Sequence, residues 1–146
     1  MHDITLIQGI LLSIMAIICG FDFWLEALYI FRPIIVCTLT GLILGDLHTG
    51  LLAGGLTELA FAGLTPAGGT QPPNPILAGV MATVIAHTSS LNVAASLGLA
   101  LPFSFLMQYI ILFYYSAFSV FMSKAEKYAD EADVKSFGKL NVLMIL

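Results

Sequence analysis

Residues 33–122 run for ninety positions with only two charged side chains, Asp46 and Glu58. A water-facing surface cannot be assembled from such a stretch, because soluble domains carry charge on roughly a quarter of their residues. The whole chain agrees, with 59% hydrophobic and 10% charged residues and a mean hydropathy of +0.98. The apolar runs therefore predict an all-α integral membrane protein, since a helix satisfies its own backbone polar groups in lipid. More than half of the charged residues crowd into residues 124–139, so the net charge of −4 describes a polar segment. No basic patch suggests nucleic acid. Cys19 and Cys37 both sit inside apolar runs, which predicts packed thiols and no disulfide.

Residues 4–21 are long enough at about 1.5 Å per residue to cross a hydrocarbon core of about 30 Å. No basic region precedes them and no small-residue cleavage site follows, so a retained span is expected. FDFWLEALYIFRP comes next, and Trp24, Tyr29 and Arg32 are residue types expected at a headgroup boundary. Residues 103–122 form a second convincing span, ending at Lys124 and Lys127, which place that end in the cytoplasm. Between the two, residues 33–44, 51–64, 75–86 and 93–101 are too short to be ordinary spans. The breaks GDLHTG, TPAGGTQPPNP and HTSSLN separate them, so re-entrant or broken hairpins are expected around a polar cavity. Gly41 with Gly45, and Gly50 with Gly54, have the spacing of close helix packing. Residues 123–139 read as a polar cytoplasmic segment, forming one amphipathic or solvated helix over 124–139, and 140–146 as the start of another span.

TELAFAGLTPAGGTQPPNPILAG, residues 57–79, concentrates the polar chemistry. Glu58 has apolar neighbours and no base near it in sequence. It is either a ligand-hydroxyl or proton site, or a carboxylate that pins a re-entrant helix. Asp46, in a turn before a short helix, reads first as an N-cap. Prolines 72, 73 and 75 make QPPNP stiff, leaving Gln71 and Asn74 to offer donors and acceptors that suit a polyhydroxyl ligand. Asn74 equally suits the cap of a helix with Pro75 at its first position. His48 and His87 lack metal-ligand spacing, and no nucleophile, phosphate-loop or zinc motif occurs, so no cofactor and no enzyme acting alone is expected.

RPIIVCTLTGLILGDLHTGLLAGGLTELAFAGLTPAGGTQPPNPILAG closely resembles the IIC membrane component of the mannose-type (mannose, fructose, sorbose) class of the bacterial sugar phosphotransferase system, particularly its N-acetylgalactosamine or galactosamine branch. RP, GD-x-x-TG, GG-x-TE and QPPN carry the likeness, which extends to about Lys139. It implies a multi-pass subunit of the bacterial cytoplasmic membrane that forms the sugar pathway with a IID membrane partner, in a hetero-oligomer holding several IIC copies. Soluble IIA and IIB components pass phosphate to the arriving sugar, so neither histidine of a phosphorelay is expected here. Placed on that pattern, Thr57 and Glu58 of the GG-x-TE motif, Asp46, Gln71 and Asn74 are the candidate substrate-binding residues. Members are nearly twice this length, so the chain is expected to hold roughly half of the fold, ending in the first turns of a further span. Two other readings remain open: a small proton-coupled transporter, which would want four full spans and little proline, and a truncated assembly subunit that does not transport.

Overall fold

The computed structural model describes residues 3–64 and 71–145, with the side chains of Trp24 and Ile145 outside the description. TPAGGT, residues 65–70 of the polar stretch, also lies outside it. The described residues form helices α1 (Leu6–Leu25), α2 (Pro33–Leu44), α3 (Leu47–Ala60), α4 (Pro75–Ser89), α5 (Val93–Asp130) and α6 (Val134–Ile145), with no strand among them. Met1–Gln108 make one compact unit and Tyr109–Leu146 a second.

Local chemistry starts and stops these helices. Thr5 opens α1 through a reciprocal capping box, its hydroxyl accepting from the Gln8 amide while its own N–H reaches Gln8 Oε1 at 2.9 Å. Leu6–Phe23 is apolar and long enough to cross a membrane, and the helix continues past the expected limit at 21 until Glu26 turns left-handed. Pro33 begins α2, where its missing N–H costs nothing. Gly45, at φ 78°, ends it. Asp46 Oδ1 then accepts the Thr49 amide at 3.2 Å and starts α3, so the GDLHTG interruption shrinks to two residues, Gly45 and Asp46.

α2, α3 and α4 pack on one another, and α1 packs on α2. At about 18, 21 and 22 Å, the three short helices fall below the thickness of a hydrocarbon core. Their shared interior is built from small side chains: Val36, Thr40, Ala53, Thr57, Ala78, Ala82 and Thr83 are fully buried. Leu6, Ile7 and Leu59 point outward, the reverse of a soluble domain and the arrangement lipid favours. The glycine pairing differs from the spacing read in sequence. Gly45 is the turn, and the close approach is Gly41 against Gly50 across the hairpin, where a Cβ on Gly50 would stand 2.9 Å from the Gly41 Cα. Gly54 meets the backbone of Ile34 in the same way.

The separation of residues 93–101 from 103–122 is corrected: both belong to α5, which runs through Pro102 for 38 residues. Proline removes one backbone donor, whereas a break inside lipid would strand several polar groups, so continuity is the smaller cost. The single helix expected over 124–139 is corrected too. α5 stops at Asp130, Ala132 turns left-handed at φ 52°, and α6 begins at Val134, joining the end of the polar segment to the apolar residues after it.

Asp133 caps α6 by accepting the Ser136 N–H at 3.1 Å, and hydrogen bonding from Ser136, its side chain first and this amide second, holds the carboxyl below the usual carboxylate range. A depressed folded-state pKa contributes stability above the unfolded value, about 3.8, that fades as pH falls through the folded one. The first turn of α6 should therefore be intact at neutral pH and loosen only below about pH 4, visible as a shift of the Ser136 amide resonance in an NMR titration. Asp133→Asn should abolish the pH dependence while keeping the cap.

Candidate functional site

Glu58 stands near the end of α3 and reaches the start of α2. Its Oε1 accepts from Arg32 Nε at 2.8 Å and also from Arg32 Nη2, while Oε2 accepts the Ile34 N–H at 3.2 Å. That amide is one of the orphan donors of the first turn of α2, whose own N-cap residue, Arg32, supplies no side-chain cap. Glu58 thus caps α2 from another helix and neutralises Arg32, 26 positions away in sequence. Arg32, a residue type expected at a headgroup boundary, is the partner of Glu58. Both stay accessible, with side chains 56% and 25% exposed. Together with Phe23, Phe31, Phe61 and Ile76 they line a cavity of about 410 Å³, within the range typical of small-molecule sites.

The stiff segment before α4 is fastened to α5. The Asn74 N–H donates to the Ser104 carbonyl at 3.3 Å, Ser104 Oγ donates to the Asn74 carbonyl at 2.7 Å, and Gln108 Nε2 donates to the Gln71 carbonyl. Without helix or strand of its own, the segment still has the Asn74 N–H and the Asn74 and Gln71 carbonyls paired. Asn74 Oδ1 accepts the Leu77 amide at 2.9 Å, so this buried side chain works as the α4 cap. Asn74→Ala should then lower stability by about 1 kcal/mol. Thermal unfolding and sugar binding measured on the same purified complex separate this from a ligand role, which would instead weaken binding in the surviving fold.

The five candidate residues do not converge. Glu58 borders the cavity. Thr57 is fully buried near Gly79, with no hydrogen-bond partner for its hydroxyl among the described residues. Asn74 lies just before the cavity-lining Pro75 and Ile76, and half-buried Gln71 lies further along the same segment. Asp46 is at the opposite end of α3, about 18 Å from Glu58 along the helix, where its Oδ2 lies 3.3 Å from His87 Nδ1. Sequence reasoning missed Arg32, Ser104 and Gln108 as partners, since each acts across 26 residues or more. No group of three or more potential metal ligands occurs among the described residues.

Residues 6–146 match the family described as the PTS system sorbose-specific IIC component. The chain is 66% identical over 141 residues to N-acetylgalactosamine permease IIC component 1 of Escherichia coli K12, covering 97% of this chain and 53% of that protein. It is 40% identical to the putative N-acetylgalactosamine permease IIC component 2 of the same organism, over 85% of this chain and 93% of that one. It therefore spans about half the length of the first relative and nearly all of the second. Among solved structures it superposes on a chain of the mannose transporter ManYZ in complex with microcin E492, with TM-score 0.83 and 28% identity over 99% of this chain and 58% of that one. A family match across nearly the whole chain, joined to the same helical fold, makes this membrane protein a member of the sorbose-specific IIC family of the phosphotransferase system.

Proposed function

We propose that the chain is a transport subunit which, with a IID membrane partner, forms the path for an amino sugar of the N-acetylgalactosamine class. Soluble IIA and IIB components carry out the phosphoryl transfer, and this chain supplies no catalytic group. The observation that carries the reading is the 66% identity to N-acetylgalactosamine permease IIC component 1 across 97% of the chain. The cavity beside Arg32 and Glu58 supports it, because a charged pair with accessible edges offers both donors and acceptors to sugar hydroxyls. In this reading Glu58 meets the sugar and Gln71 offers an amide from the segment before α4, while Asn74 caps α4 next to the cavity-lining Pro75, Thr57 packs in the interior behind Glu58 and Asp46 holds the hairpin tip.

The test is uptake of labelled N-acetylgalactosamine by cells lacking their own transporter and expressing the chain with IID, IIA and IIB. Accumulation that depends on the chain is expected. Stable association with IID and no uptake of any amino sugar would point to an assembly role instead.

The chain is proposed to lie in the bacterial cytoplasmic membrane as a multi-pass protein, with the polar end of α5 in the cytoplasm. A cysteine at the exposed Ala129 should react with a membrane-impermeant maleimide only after permeabilisation. Labelling in intact cells would reverse the topology.

A further inference from the structure

Asp22 is a carboxylate near the end of an apolar helix, and it is 6% exposed. A buried carboxylate persists only with partners. Its partners are backbone amides: Oδ1 accepts the Leu28 N–H and Oδ2 the Ile30 N–H, each at 2.7 Å. The loop so held bends through two left-handed residues that are not glycine, Glu26 at φ 47° and Tyr29 at φ 58°. Such conformations last only where their surroundings over-determine them. Immediately after the second bend come Phe31, whose ring meets the edge of Phe23 at 5.3 Å, and Arg32, which reaches Glu58. All four of these side chains line the same cavity.

We infer that Asp22 is the positioning residue of this site: its two carboxylate oxygens clamp the loop 26–32, and the clamped loop holds Arg32 on Glu58. The carboxylate suits the task because it accepts at both oxygens. An asparagine there would accept at one and turn an N–H toward the other amide. Any effect on sugar uptake rests on the cavity being the sugar path, whereas the clamp itself does not.

The experiment is amide hydrogen exchange, read by mass spectrometry, on the chain reconstituted in lipid nanodiscs. Asp22→Asn should speed exchange at Leu28 and Ile30, and also at Ile34, whose amide Glu58 caps, by roughly tenfold each. The interior of α3 and α4 should stay unchanged as the control for folding. Arg32→Gln should speed Ile34 alone, which sets the order of action. Asp22→Glu keeps the charge with longer reach and should show the Asp22→Asn pattern at smaller amplitude; it replaces that variant if the asparagine form does not reconstitute. Unchanged exchange at Leu28 and Ile30 overturns the clamp, and faster exchange there with Ile34 unaffected overturns the positioning role. In the active transporter Asp22→Asn should raise KM for the sugar. Faster exchange at all three amides with KM unmoved upholds the clamp and removes the cavity from the sugar path.

Discussion

Gly50→Ala should be among the most damaging substitutions in the chain, although it adds only one methyl group. The new Cβ would stand 2.5 Å from the Cys37 carbonyl oxygen and 2.9 Å from the Gly41 Cα, and neither obstacle is a side chain that can rotate away. Relief requires α2 and α3 to separate, which undoes the contact that holds the hairpin together. Overpacking a tight interior costs about 1–3 kcal/mol where side chains absorb it, and backbone obstruction places this site at the top of that range or beyond. Gly55→Ala, further along the same helix, is the matched control, because nothing lies within 4 Å of the place its methyl group would take. That change should be neutral, or stabilising by up to about 1 kcal/mol through helix propensity. Thermal unfolding of the two purified variants decides the matter: equal melting temperatures would mean that the hairpin does not depend on this contact.

Glu58→Gln should leave the protein folded and inserted but lower sugar uptake by roughly tenfold to a hundredfold. Glutamine keeps the shape and one acceptor, so the Ile34 amide can still be capped. The Arg32 guanidinium then loses its counter-charge beside the cavity. Uptake measured with the IID, IIA and IIB components present, alongside expression and melting temperature, separates transport from folding. The exchanged pair Arg32→Glu with Glu58→Arg adds a second reading. If the ion pair only pins α3 to α2, the exchange should recover uptake in large part. A sugar-contacting carboxylate predicts no recovery, since the acid has moved to the other helix. Full uptake by Glu58→Gln would leave Glu58 as a cap and nothing more.

Both predictions turn on contacts that join distant parts of the chain, and this is where sequence reading reached its limit. Asp46 and Asn74 were legible as caps because a cap is decided within three residues: each side chain accepts the amide three positions ahead, and Pro75 marks the first helical position. The short lengths of α2, α3 and α4 were legible from the spacing of turn residues, and the membrane class from the scarcity of charge over residues 33–122. The likeness to IIC components rested on motifs that stand contiguously in the chain, and the family match spans them.

Other features took their form only in the folded chain. Gly41 and Gly45 share a sequence spacing, yet Gly41 packs against Gly50 because the left-handed turn at Gly45 reverses the chain between them. Glu58 stands without a basic neighbour in sequence, and its partner arrives from 26 residues upstream on a loop fastened by Asp22. Asp46 and Glu58 were both candidate substrate-binding residues, but the intervening length of α3 sets them at opposite ends. The division follows from range. Caps and lipid preference depend on neighbours within a turn or on composition, and a sequence states those directly. Which glycines touch and which charges meet depends on the register in which helices dock, and that register is settled only when the small residues of α2, α3 and α4 close on one another in three dimensions.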